Sequence, residues 1–349
     1  MTKTRILIVD DSAIVRKLLS EALSGEKDLE VVGTAPDPVV ARDKILALNP
    51  DVLTLDIEMP RMDGLTFLRK LMHYRPMPVV VISSLGQAGC QAALEALRLG
   101  AVEVLAKPGG PYSVGELRMD LAAKIRAAAA ARLRIAPAEP AARPEPPPAP
   151  PAPDGSAIIA IGASTGGTEA IQQVLTRMPA NSPGIVITQH IPPVFSRAFA
   201  NRLNEICPLE VKEACDGGAL ARGRVLIAPG NLHMLLRKSP GGGFRVAVQD
   251  GPRVCYQRPS VDVMFSSVAE AAGSQAVGAL LTGMGADGAR GLLKMKQTGA
   301  RTIAQDEASC VVFGMPKEAI RLGAAHQVVS LGRMPAAILG QLSQIAVAG

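Results

Sequence analysis

Residues 158–170 read IIAIGASTGGTEA: an apolar run breaks at Gly162-Ala163-Ser164-Thr165-Gly166-Gly167 and continues with a helical pattern. Such a turn offers two chemistries. It can cradle a phosphate on the N–H groups that open the helix, or it can lift a serine out of a sharp strand-to-helix bend as a nucleophile. The G-x-S-x-G spacing suits an exposed Ser164 hydroxyl, although a Gly-rich turn alone is a weak signal. Gly162, Ser164 and Gly167 do not supply the dinucleotide pattern G-x-G-x-x-G, and the Gly-Lys-Ser/Thr of a P-loop is absent.

A nucleophilic serine needs a base, and the chain has only four histidines. His73 lies at a helix end and His326 precedes a short QVV; a lone histidine in such places is more often structural. His233 follows APGN and stays a candidate for lining a site. His190 ends IVITQH, the strand after the Ser164 strand, so parallel pairing would bring it to the same carboxyl edge. An orienting acid is offered by Asp287 in LTGMGADGARG, just beyond another strand. An Asp there is commonly only a helix N-cap, yet this turn repeats the architecture around Ser164. The chain order Ser164, His190, Asp287 differs from the Ser-Asp-His order of α/β-hydrolases, which disfavours that family.

A second cluster lies near the N-terminus. Asp10 and Asp11 follow the apolar RILIV, and Asp56 closes DVLTLD. In a parallel sheet these strand ends face one crevice. Three carboxylates gathered there repel one another unless a hard cation such as Mg²⁺ neutralises them. Ser83 ends a further strand with a hydroxyl, and Lys107, followed by Pro108, ends another with a positive charge. For a single acid a cap or loop role is the simpler reading; the combination is hard to reach by chance.

The elements that must position these groups alternate. RILIVD, EVVGTA, DVLTLD, PVVVISS and VEVLAK read as five strands. Helical patterns fall between them over Pro38–Leu48, Leu65–His73 and Ala88–Leu99, with Ser12 able to cap the first helix and a last helix over Ala122–Arg134. The expectation is a doubly wound parallel sheet. Residues 134–154 are proline-rich and read as a semi-rigid, partly polyproline-II spacer. Beyond it, AIIAIG, GIVITQH, RVLIAP, AVGALLTG and ARTIAQD read as strands. Helices are expected over Gly167–Met178, Phe195–Ile206, Val261–Ala272 and Gly288–Thr298, and LLRKSPGGGFRVAV reads as a hairpin. The expected domains are residues 1–133, a linker over 134–154 and residues 155–349, both domains α/β and the second Rossmann-like with an antiparallel insertion.

Composition narrows the field. With 48% hydrophobic and 19% charged residues over 349 positions, the chain can bury two cores. Aromatics are 3% with no Trp, which argues against base stacking. The net charge of +6 is scattered and forms no nucleic-acid patch. No stretch is apolar and long enough to span a membrane, and the N-terminus has no signal-peptide pattern, so a cytoplasmic location is expected. The five cysteines form no CxxC pair and read as buried thiols.

The motifs VDDS, LDIEMPRMDG, ISS and AKPG together resemble the receiver domain of bacterial response regulators, over nearly all of residues 1–133. The resemblance implies a flavodoxin-like fold in which Asp56 accepts a phosphoryl group from a histidine kinase. It further implies that Asp10, Asp11, Asp56 and the Glu58 backbone carbonyl hold Mg²⁺, and that Ser83 and Lys107 sense the phosphate. Val104 stands where receivers often carry an aromatic switch residue. GASTGG, QHIPPVFS, APGNLHM, RPSVDVMFSS and LTGMGADGA together resemble the catalytic domain of chemotaxis protein-glutamate methylesterases. That resemblance implies a triad of Ser164, His190 and Asp287, with Thr165 and Met284 bordering the oxyanion site. It also implies methylated chemoreceptors as substrates and no cofactor for the esterase reaction. Deamidation of glutamine differs only in the leaving group and is a candidate second activity. The competing reading makes the second domain a phosphorylated-ligand or nucleotide-binding module gated by the receiver; a DNA-binding effector is weaker, since no helix-turn-helix is seen.

Overall fold

The computed structural model describes residues 3–133, apart from 61, 85 and 108–113, and residues 157–348. The chain divides into two compact units, residues 1–139 and 140–349. The proline-rich segment expected as a linker lies outside the described residues, as does Pro108.

In the first unit, β1 (Thr4–Val9) is followed by α1 (Ala13–Leu23), β2 (Leu29–Ala35) by α2 (Pro38–Leu48), and β3 (Val52–Asp56) by α3 (Gly64–Tyr74). Then β4 (Val79–Ser83) is followed by α4 (Gln87–Arg98), and β5 (Glu103–Ala106) by α5 (Val114–Ala129). The central strands are mostly apolar because helices cover both faces of a parallel sheet; Ile6, Leu7, Ile8, Leu53, Leu55 and Val79 are fully buried. Helix starts follow local chemistry: Ser12, Asp37 and Asp63 each accept an N–H of the first turn. The strand order β2-β1-β3-β4-β5 is the flavodoxin-like one, which reverses direction between β1 and β3. The loops after β1 and β3 therefore flank one crevice, and they carry the three acids. The last helix differs from expectation. It starts at Val114 and ends at Ala129, because Leu121, Ala122, Ile125 and Ala128 form its buried stripe.

In the second unit, β6 (Ile158–Ala163), α6 (Gly167–Leu175), β7 (Gly184–Gln189) and α7 (Phe195–Ile206) precede β8 (Glu210–Glu213), β9 (Ala219–Leu220) and β10 (Arg224–Ile227). The hairpin β11 (His233–Lys238) and β12 (Phe244–Gln249) leads to α8 (Val261–Ala272), β13 (Ala276–Leu280), α9 (Ala289–Gln297) and β14 (Arg301–Gln305). The unit closes with α10 (Met315–Arg321), β15 (Gln327–Val329) and α11 (Met334–Ala348). Seven strands form a parallel sheet in the order β15-β14-β13-β6-β7-β10-β8. The direction of winding reverses between β6 and β13, the Rossmann-like switch point at whose carboxyl edge ligand crevices form. The register pairs Ala163 with Gln189 and Gly162 with Leu280, so residues 164, 190 and 282 emerge side by side.

Several elements were not expected. β8 is a charged edge strand with only Val211 buried, and β15 has three residues, so neither shows an apolar run. β9 pairs with β12 and turns the expected hairpin into a three-stranded antiparallel sheet. α10 and α11 complete the layer that covers β13 and β14. The reading of all cysteines as buried is corrected. Cys90 and Cys310 are buried and Cys207 is intermediate, but Cys215 and Cys255 are exposed, because they sit on loops and not on the faces that pack. Among the described residues no helix is long and apolar enough to cross a membrane.

Candidate active site

At the switch point of the second unit, β6 ends and the chain turns through Ser164 into α6, whose N-cap Gly166 is left-handed at φ 74°. The turn is pinned from three sides. The Ser164 N–H donates to the Thr282 carbonyl (3.0 Å), the Gly167 N–H to the Ser164 carbonyl (2.7 Å), and the Thr282 hydroxyl to the Thr165 carbonyl (3.0 Å). His190 follows β7, and its N–H donates to the Ala163 carbonyl (3.2 Å), which sets it beside the serine turn. Ser164 and His190 are each 8% exposed.

Asp287 arrives from the turn after β13. Its Oδ2 accepts from His190 Nε2 (2.8 Å) and the Val261 N–H (2.8 Å), and its Oδ1 accepts from the Ser260 hydroxyl (2.8 Å) and the Asp262 N–H (2.9 Å). Two of these donors open α8, where the helix dipole also favours negative charge. The helix reaches this close because Gly162 and Gly288 are glycines: a Cβ at either would lie 2.2 Å or 2.6 Å from Val261 Cγ1. Burial pushes the Asp287 carboxyl up, but the hydrogen bond and charge of His190, with the α8 N–H groups, hold it below the usual carboxylate range. An ionised Asp287 can only accept, so Nε2 carries the His190 proton. His190 Nδ1 is then a bare lone pair, buried and without a partner among the described residues. The ring is used in the sense opposite to the familiar serine-protease arrangement, where Nδ1 faces the acid.

Of the other residues singled out, Thr165 is 2% exposed beside Ser164, and Met284 is 38% exposed on the far lip of the turn. His233 is buried and wired behind the site: its Nδ1 accepts the Ser260 N–H (3.2 Å) and its Nε2 donates to the Pro252 carbonyl (2.9 Å). His73, in the first unit, packs edge-on against Tyr74, and His326 pairs with the Thr302 hydroxyl (2.8 Å) near the start of β14, away from the carboxyl edge. Sequence reasoning overlooked Ser260, Asp262 and Gln189. The only signals were a serine before the helical run VDVMF and a polar residue at the end of an apolar strand.

In the first unit, Asp10, Asp11 and Asp56 bring carboxylate oxygens within 4.8 Å of one another. Asp56 is fully buried; its Oδ1 accepts the Glu58 N–H (3.0 Å) and its Oδ2 the Lys107 ammonium (2.7 Å). Asp10 Oδ1 accepts the Ser12 N–H (2.9 Å), whereas Asp10 Oδ2 is buried with no partner among the described residues. Burial, then the charge of Asp56, raises the Asp10 carboxyl to about 6. Burial also raises Asp56, against the pull of Lys107. An orphaned buried oxygen among three carboxylates fits a hard dication. The Glu58 side chain turns away and accepts the Ser84 hydroxyl (2.6 Å). Ser83 is buried at the end of β4, with its hydroxyl donated to the Gly89 carbonyl (3.0 Å), and Val104 is buried in β5.

Two family descriptions match the chain: CheB methylesterase over residues 159–338 and response regulator receiver domain over residues 6–116. A protein-glutamate methylesterase/protein-glutamine glutaminase of Syntrophus aciditrophicus is 55% identical, covering 95% of this chain and 97% of that protein. The Salmonella typhimurium protein of the same description is 53% identical over 98% of both chains. The crystal structure of the Thermotoga maritima CheB methylesterase catalytic domain, 38% identical, aligns with 53% of this chain and 98% of that one, with a TM-score of 0.52.

Proposed function

The chain belongs to the CheB methylesterase family, with a receiver domain in front of the esterase, and from this premise we propose that Ser164, His190 and Asp287 hydrolyse glutamate γ-methyl esters on chemoreceptors, releasing methanol. The observation that carries the assignment is the His190 ring, fixed by Asp287 through Nε2 with its other nitrogen bare beside the serine turn. Ser164 Oγ attacks the ester carbonyl carbon as its proton passes to His190 Nδ1, and Asp287 stabilises the imidazolium. Backbone N–H groups at the start of α6, in a site bordered by Thr165 and Met284, meet the oxyanion, at roughly 3–4 kcal/mol for one such donor. Nδ1 returns the proton to the departing methoxide, which leaves as methanol. Water, deprotonated at the same nitrogen, then attacks the acyl-serine, freeing the carboxylate and restoring the Ser164 hydroxyl. A glutamine side chain would follow the same path with ammonia leaving, in keeping with the glutaminase in the relatives' names. Methanol release from methylated receptor membranes tests the assignment; substantial activity in Ser164→Ala would sink it.

The first unit regulates. Asp56 accepts a phosphoryl group from the histidine kinase of the chemotaxis system. Asp10, Asp11 and Asp56, with the Glu58 backbone carbonyl, would hold Mg²⁺, which when bound neutralises the carboxylates and the incoming phosphoryl group. Lys107 leaves its bond to Asp56 for the new phosphate, and Ser83 exchanges its Gly89 partner for a phosphate oxygen. The unphosphorylated receiver restrains the esterase, and phosphorylation shifts the population toward the active form. The protein works in the cytoplasm, where kinase and receptor tails meet.

A further inference from the structure

Gln189 is the last residue of β7 and is 3% exposed. Its Nε2 donates to two carbonyls, that of Ser164 (2.8 Å) and that of His190 (3.2 Å), while its Oε1 is buried without a partner among the described residues. A buried amide that leaves its acceptor unsatisfied carries a cost, which is set here against two bonds that tie the serine turn to the histidine. The amide lies directly against the start of α6: a Cβ on Gly167 would fall 2.1 Å from Oε1. The consequence for chemistry runs through one peptide plane. The Ser164–Thr165 peptide is trans, so its C=O and N–H point in opposite directions. Gln189 Nε2 and the Gly167 N–H hold the Ser164 C=O, which fixes the plane of the Ser164–Thr165 peptide. The same amide ties down the backbone of His190.

We propose that Gln189 is a positioning residue for the esterase reaction, locking the Ser164–Thr165 peptide and the His190 backbone together so that nucleophile and base keep one relative orientation. This rests on the reading of Ser164 as the nucleophile. The phosphorylated full chain should be compared with its Gln189→Met variant, which keeps length and shape but has no donor. Active sites are counted by running a serine-directed phosphonate to completion, and kcat per titrated site, KM, the rate of phosphonate labelling and Tm are measured. Loss of orientation between nucleophile and base should lower kcat about 10- to 100-fold, with labelling slowed in parallel. KM should stay within about twofold and Tm within a few degrees. A fall in kcat per site of less than about tenfold, or a matching rise in KM, overturns the proposal. If the Met variant does not fold, Gln189→Glu, an isostere whose carboxylate only accepts, is held to the same criteria. Absence of label on Ser164 in the wild-type chain would instead defeat the nucleophile assignment itself, so the two failures are distinct.

Discussion

Asp10 and Asp287 each lie beyond the carboxyl end of a parallel strand, and each is buried to within 2% of complete. Asp10 keeps one oxygen without a partner, whereas Asp287 receives four hydrogen bonds on its two oxygens. The Asp10 carboxyl is raised to about 6 and the Asp287 carboxyl is lowered. Cys255, Asp262 and Asp287 lie as close together as Asp10, Asp11 and Asp56 do. In the serine crevice, however, Asp262 Oδ1 accepts the Gly291 N–H (2.6 Å) and Asp287 is saturated, so the protein itself supplies every counter-dipole. In the acidic crevice Lys107 is the only cation paired with Asp56 among the described residues, and Asp10 Oδ2 stays unfilled there. Proximity of acids thus does not define an ion site; the partners left unfilled do.

The contrast can be broken first at the saturated carboxylate and its dependants. Ser164→Ala and His190→Ala should each reduce methanol release by about 10⁴- to 10⁶-fold, and the double variant should lose little more, because the residues act as one unit. Asp287→Asn should cost less, about 10⁴-fold at most, since the ring is misoriented and not removed. At the unsaturated crevice, Asp56→Asn should abolish labelling by acetyl phosphate, as should a chelator in the wild-type chain; surviving label in the variant would refute the site.

Coupling between the units comes next. A few kcal/mol of docking keeps an active state rare. The unit spanning residues 155–349 should therefore be on the order of 10- to 100-fold more active than the unphosphorylated full chain, and indifferent to acetyl phosphate. If it is slower, the receiver aids substrate recruitment instead.

The smallest effects concern stability, and there the two acids should move in opposite directions. In metal-free buffer at pH 7, Asp10→Asn removes a buried, repelled charge and should stabilise the receiver by on the order of 1–3 kcal/mol, an advantage that Mg²⁺ erases. Asp287→Asn should destabilise the second unit. Because the folded Asp287 carboxyl is lowered, its contribution is complete above the unfolded value near pH 4 and is lost as pH falls through the folded one. The Tm gap between wild type and Asp287→Asn should accordingly hold from pH 7 to about 4 and close below that, as thermal melts across pH would reveal.

Much of this could be read from residue order. Apolar runs such as RILIV, VLTL and IIAIGA, alternating with helical patterns, read as strands of a covered parallel sheet, and α2, α7 and α8 begin and end where their periodicity says. In such a sheet every strand delivers its next residue to one edge, so Asp10, Asp56, Ser164, His190 and Asp287 could be assigned to two crevices before any contact was known. Local pattern is silent where an element is short, charged or at an edge, as in β8 and β15, and where a side chain's partner is remote in sequence. The approach of α8 to β6 past Gly162 and Gly288, the bonds from Ser260, Val261 and Asp262 to Asp287, and the double grip of Gln189 all join residues at least 25 apart or depend on such a join. Which histidine nitrogen faces the acid, and which carboxylate oxygen is left bare, were decided by these long-range contacts. Hydrogen bonding at a buried atom is set by whatever the tertiary fold brings within 3 Å of it, and no spacing along the chain encodes that.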